Sequence, residues 1–418
     1  MKPMKHLIIR HARALTMGGK PGVQRGAALG TLGVIGDAWM YVKDGVIADF
    51  GPEHLGPPPT DAGAMVVEAH GRVVMPGFVD CHTHACWAGD RLDEWDQKRA
   101  GVPYLEILKG GGGIMSTVRA VRAAAPRELQ KTVERRVWAL AGEGTTTVEV
   151  KTGYGLSPTA EPKMLAAIGA ASSGSDHVMP TALLGHAIDP DVERSAFIAS
   201  MVGPALDACA AARPGICVDA FCETGAWTLE ECAELFTRAT SLGCPFRVHA
   251  DQFNALGMTE WAVDHGAISV DHLEASTEAG LRKLAGSDTF GVMLPACGFH
   301  LDGRYAKGRA FVDMGGALAL ATNLNPGSAP CFSMPFIIAL AVRHLGLTPA
   351  EAIAATTINP ATLLGLPDRG WIGLGARADL VVLRHTDERN LAFEFGGNHV
   401  HEVIHGGTPL IRTKLLDS

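Results

Sequence analysis

The sequence is short of several things, and each shortage removes a class of protein. Charged residues fill only 19% of the 418 positions, against 47% hydrophobic ones. That excludes global disorder and leaves enough apolar surface for a substantial core. Positive charge is not in excess: the formal net charge is −8, which argues against nucleic acid or an anionic membrane as the main partner. A small anionic substrate stays open, because one local arginine can bind it. No uninterrupted apolar run looks long enough to span a bilayer. The opening MKPMKHLIIRHARAL carries charges where a secretion signal needs an apolar stretch. The nine cysteines are scattered, odd in number and never spaced as CxxC, so free thiols in a reducing cytoplasm are expected. The four glycines at 110–113 match neither a Walker A nor a Rossmann spacing and read as a mobile loop before a helix.

What is present is a long alternation. Strand-like runs VVMPGFVDCH, TTTVEVKTG, HVMPTALLGH, ICVDAF, FRVHAD, ISVDH, FGVMLP and ALALATN are separated by helix-like stretches such as RELQKTVERRVWALAGEG and LEECAELFTRATSLG. Eight strands with crossovers between them predict parallel βα units and an α/β fold of the (β/α)8 TIM-like barrel type. Both chain ends are β-rich instead. They are expected to build one small β-sandwich domain from residues 1–71 and 370–418, with the barrel over 72–369.

Chemistry gathers at the strand ends. In FVDCHTHACWAGDR, His82 and His84 lie two apart on an extended chain, so both imidazoles face the same side and can serve one ion. His186, His249 and His272 end later strands, and Asn323 ends the last. A single histidine at a strand end is usually a satisfied polar residue, but several converging on one barrel mouth point to a metal site. Arg91 reads equally well as a carboxylate or phosphate clamp or as a surface salt bridge with Asp90 or Asp93. Tyr154, one of only four tyrosines, sits between glycines and either faces a cleft or caps the barrel. Lys151 ends the second barrel strand, not the fourth, which disfavours a lysine-bridged pair of metals; Glu223 leaves that open.

These segments resemble the metal-dependent amidohydrolases, and more narrowly the imidazolonepropionase family. The narrower likeness rests on DCHTHACWAGDR, GGGGIMSTVRA, TTTVEVKTGYGL, VHADQF, VDHLE, NLNPGSAP and GGNHVHEVIHGG. It runs from about residue 60 to 410. The resemblance implies cytoplasmic hydrolysis of 4-imidazolone-5-propanoate to N-formimidoyl-L-glutamate, in histidine degradation. It implies one zinc or iron ion on His82, His84, His249 and the residue at 323. Arg91, Tyr104, Tyr154, His186, Asn325, Gly327 and Ser328 would contact a small substrate with a carboxylate tail. His272 would polarise the attacked carbonyl, and Gln252 would hydrogen-bond the ring. No nucleic acid or membrane partner is implied, and a homodimer is the default assembly.

The family pattern has aspartate where this chain has Asn323, and glutamate in some members where it has Gln252. An amide offers a neutral oxygen and takes up no proton at physiological pH, so weakened activity is expected. Three readings of Asn323 stand: a deliberate Asp→Asn change that traps ligand, a natural variant with weakened catalysis, or an enzyme with another base; the otherwise intact pocket favours the first, since a decayed site would have lost more than one residue. Competing readings are another cyclic amidohydrolase or deaminase of the same fold, or a catalytically silent ligand-binding homologue.

Overall fold

Apolar runs cut by turn residues dominate both ends of the chain, and in the computed structural model these ends pair with each other. The structure describes residues 6–102, 106, 110–172 and 177–412. The first segment supplies β1 (His6–Leu15), β2 (Val34–Lys43), β3 (Val46–Pro52), β4 (Met65–Glu68) and β5 (Val73–Pro76). Eight further strands follow: β6 (Phe78–Asp80), β7 (Thr145–Lys151), β8 (Val178–Gly185), β9 (Cys217–Cys222), β10 (Phe246–Ala250), β11 (Ser269–His272), β12 (Phe290–Met293) and β13 (Leu318–Leu320). The last segment adds β14 (Leu380–Leu383), β15 (Val400–His405) and β16 (Thr408–Arg412).

The terminal strands form one sheet in the order β16-β15-β14-β5-β1-β2-β3. β1 divides one edge between two parallel partners, residues 7–10 pairing with β4 and residues 13–14 with β5. The division falls at a register shift between Ile9 and Ala12, where His11 has a φ of 52°. An extra residue in a positive-φ conformation bends a strand in this way. Only Gly77 separates β5, in this sheet, from β6. A Cβ there would lie 2.3 Å from the Thr146 side chain, so glycine is what lets the chain cross between sheets against β7.

β6 to β13 pair in sequence order as one parallel sheet, and all the eight predicted runs contribute a strand to it. The sheet closes where its first and last strands meet. The Asn323 amide donates to His82 O at 3.1 Å and the His84 amide to Leu324 O at 2.9 Å, while the Thr322 hydroxyl donates to Asp80 at 2.5 Å. Outer helices pack by ordinary amphipathic spacing. Pro126–Gly142 buries Leu129, Val133, Arg136 and Leu140 on one stripe, and Leu229–Ser241 opens with a capping box of Thr228 and Glu231.

The helical stretch Arg194–Ala212 is long and apolar enough to cross a membrane by length and composition. It is not an uninterrupted apolar run, since Arg194 and Asp207 interrupt it, and it contains a π-helical turn at Met201–Ala205 around Pro204, the kind of turn a residue without an N–H imposes. Phe197, Met201, Ala205, Leu206 and Cys209 on it are buried. All nine cysteines are free.

Candidate active site at the barrel mouth

His82 and His84 continue β6 beyond the sheet and face the same side, as their spacing requires. His249, near the end of β10, brings its ring to 4.5 Å from that of His82. His84 Nε2 and His249 Nε2 stand 3.4 Å apart, and the three residues each offer a nitrogen within 4.8 Å of the others. Two of the rings are aimed from behind: His82 Nδ1 is 2.6 Å from Asp271 Oδ2, and His249 Nδ1 is 3.1 Å from Asp219 Oδ1. Each carboxylate fixes a tautomer that leaves Nε2 for the centre. Burial pushes all three imidazoles well below their usual pKa, so they stand as neutral donors.

Three buried side-chain atoms on the clustered histidines and the seam residue Asn323 have no hydrogen-bond partner: His82 Nε2, His84 Nδ1 and Asn323 Oδ1. Orphaned buried polar atoms are costly. Here they are neutral nitrogens and a carbonyl oxygen on residues at most 3% exposed, a set that fits a divalent metal ion. Asn323 sits at the seam, its backbone amide on His82 O, with a φ of 55°, in the left-handed region that asparagine tolerates better than most residues.

Beneath the histidines lies a lattice of buried charge. Lys151 Nζ donates to Glu149 and to Asp219, each at 2.8 Å. Arg247 donates to Asp271 at 2.5 Å and to Cys81 O at 2.7 Å. Burial alone would lower the Lys151 pKa, and Arg247 lowers it too, but Asp219 and Glu149 hold it above its ordinary value. Its amine is therefore a charged anchor for the carboxylates behind the site. Glu223 accepts from the Phe253 and Asn254 amides and the Asn254 side chain, and so is tied to the loop that follows β10.

The rim is built from loops. Arg91 gives Nε and Nη2 to Glu94, and Glu94 also accepts from the Gly113 amide at 2.8 Å. Burial would raise the Glu94 carboxyl, but Lys98, Arg91 and Gly113 hold it below its usual value. The Nη1 end of the guanidinium faces Gly327, where a Cβ would come within 3.3 Å of it. Of the two readings of Arg91, a surface pairing with Asp90 or Asp93 is not what forms. Asn325 spends its side chain on its own loop, bonding Asn323 O, Gly327 N and Ser328. His186 stacks on His84 at 5.0 Å and pairs Nδ1 with Gly153 O at 2.8 Å; Tyr154 lies 5.1 Å from His186 and is buried. Gln252 donates to Cys297 Sγ at 3.3 Å. The His272 ring is 5.5 Å from that of His249. Tyr104 lies outside the described residues.

Sequence reasoning passed over Glu94 and the lattice around Lys151. For the lattice a signal existed: Glu149, Lys151, Asp219, Arg247 and Asp271 interrupt otherwise apolar barrel strands, where a charge must find a partner. For Glu94 there was none, since it reads as one acid among several on an exposed helix.

A family model described as Amidohydrolase family matches residues 104–410. The chain is 44% identical to an imidazolonepropionase of Deinococcus deserti, over 93% of this chain and 96% of that one. It is 44% identical to that of Deinococcus radiodurans, over 94% and 96%, and 35% to that of Geobacillus kaustophilus, over 98% of each. Among solved structures, 5-methylcytosine deaminase from Klebsiella pneumoniae liganded with 5-fluorocytosine aligns with a TM-score of 0.72 at 16% identity, covering 98% of both chains. A triazine hydrolase variant aligns with 0.73 at 15% identity, over 97% of this chain and 95% of that one. At these identities the likeness is one of fold.

Proposed function

Because the chain belongs to the imidazolonepropionase family of amidohydrolases, we propose that it hydrolyses 4-imidazolone-5-propanoate to N-formimidoyl-L-glutamate in histidine degradation. The observation that carries the reading is the convergence of His82, His84 and His249 on one centre, at a mouth whose rim holds a guanidinium with a free end toward Gly327.

His82, His84, His249 and the Asn323 carbonyl oxygen would hold one zinc or iron ion; imidazole suits both. Such an ion supplies a water of lowered pKa and a Lewis acid. The Nη1 end of Arg91 takes the propanoate tail, with Ser328 and the 325–327 backbone shaping the surface around it. Tyr154 and His186 bound the ring pocket, and Gln252 offers an amide to the imidazolone. Hydrolysis adds a water oxygen to the ring carbonyl carbon and breaks its bond to nitrogen. The nitrogen leaves with a proton that a side chain must carry. We place the enzyme in the cytoplasm, acting on a small carboxylate-tailed substrate, as a homodimer by default.

Asn323 brings an oxygen but no charge, so it should bind the ion less tightly than aspartate. The test is to supply metal to the purified chain and follow loss of imidazolone propanoate. The expected result is turnover, with Arg91→Ala raising KM and leaving bound metal unchanged. An unchanged KM in Arg91→Ala would favour a different hydrolase of the same fold, such as a deaminase. Ligand binding with no ion in the protein would favour a silent binder. Loss of no substrate by either this chain or Asn323→Asp would overturn the assignment.

A further inference from the structure

Two positions around the centre, 252 and 323, carry amides, and an amide takes up no proton near neutrality. The reaction still needs a group that moves one. His272 is 3% exposed, and its ring lies 5.5 Å from that of His249 and 6.1 Å from that of His82. It therefore borders the reacting centre without being one of the three clustered histidines. Its Nδ1 is 3.2 Å from Glu274 Oε1. The other Glu274 oxygen, Oε2, is buried with no hydrogen-bond partner, an arrangement that costs stability and calls for a reason.

The backbone is bent to make this pair. His272 has a φ of 90° and Leu273 one of 72°. Two consecutive non-glycine residues in the positive-φ region are strained, and such strain collects where side chains must be aimed. The Leu273 amide is held by Ala250 O at 3.3 Å and the Ala275 amide by Asp251 O at 2.6 Å, so the turn is fixed from its neighbour strand. Cys297 completes a cluster with His272 and Glu274. Burial pushes its thiol up, so it stays a neutral neighbour and makes a poor third ligand for a second metal.

We propose that Glu274 is a positioning residue that holds His272 in the tautomer with hydrogen on Nδ1, so that Nε2 carries the proton of the reaction in this chain. A carboxylate only accepts, so the hydrogen between the two belongs to Nδ1 and the lone pair to Nε2. Nε2 takes one hydrogen of the attacking water as its oxygen bonds to the ring carbonyl carbon. It returns that hydrogen to the ring nitrogen as the carbon–nitrogen bond breaks, and His272 ends neutral as it began. Among the three readings of the amide at 323, this favours an enzyme that uses another base, in place of a trapped variant.

The inference rests on the hydrolase reading, and the experiment separates the two. Side-chain 15N NMR of histidine-labelled, metal-free protein should show His272 as the Nδ1–H form, and a tautomer mixture or the Nε2–H form in Glu274→Gln. With saturating metal, Glu274→Gln should lower kcat roughly 100-fold while KM moves less than about threefold, and Glu274→Asp should recover part of the loss. Asn323→Asp should change kcat by less than about tenfold. An unchanged tautomer in Glu274→Gln, or an unchanged kcat, overturns the proposal. So does a gain of about 100-fold or more in Asn323→Asp, which would make position 323 the missing proton carrier. Should Glu274→Gln not fold, an Asp variant as slow as His272→Ala would overturn it as well. Failure of this chain and of Asn323→Asp alike to consume substrate sinks the hydrolase reading instead, and the NMR comparison still decides whether Glu274 sets the tautomer.

Discussion

On the floor of the barrel mouth, Lys151, Glu149, Asp219, Arg247 and Asp271 are at most 1% exposed and bind one another directly. At the rim, Arg91 is 11% exposed and is held by a helix acid, Glu94, that itself leans on the Gly113 amide. The floor is made of strand residues whose charges have no solvent to fall back on. The rim pairs a guanidinium with a carboxylate that also leans on a backbone amide, and the other end of the guanidinium faces Gly327. A buried charge that loses its partner is stranded, whereas a rim residue that loses its partner can rehydrate. The floor should therefore fail in stability and metal affinity, and the rim in substrate affinity.

Four experiments break or sharpen that contrast, and the largest effect comes first. Stripping metal with a chelator should abolish turnover, and adding zinc or iron should restore it; activity that survives complete metal removal would sink the floor's assigned role. Lys151→Met removes the cation between Glu149 and Asp219. It should cost about 3–5 kcal/mol in urea unfolding of the metal-free protein and lower metal affinity by roughly 10–100-fold through Asp219 and His249. Arg91→Ala should raise KM by roughly 10–100-fold, the scale of a charged hydrogen bond, with urea midpoint and bound metal unmoved; a fall in metal content would show that floor and rim are one unit. Gly327→Ala sets a Cβ 3.3 Å from Arg91 Nη1. It should raise KM by less than about tenfold, about 1 kcal/mol of crowding, and leave kcat alone.

The same contrast marks what could be read from sequence. Strand ends were legible because an apolar run that stops at a histidine announces both its direction and its polar end, as at His249 and His272. His82 and His84 were legible from a spacing of two. The closing seam was not, because Asn323 N and His82 O meet only through the whole barrel. Nor was the split edge of β1, which depends on a bulge at His11 that no local pattern signals. Arg91 stood equally between surface and site, and its partner Glu94 was not among the acids weighed for it. The roles of Glu94 and Glu274 needed coordinates, since a carboxylate in sequence carries no sign of which nitrogen it faces.

The seam has a consequence in time. Asp80 and Thr322, which lock the first strand to the last, are 242 residues apart. A chain emerging from the ribosome exposes His82 and His84 early, and His249 later, yet the ring that aims them is open until β13 has been made. Contacts of such long range form late. An ion met before then finds imidazoles without a cage and gains little by staying. Metal loading is therefore expected to follow the closing of the barrel.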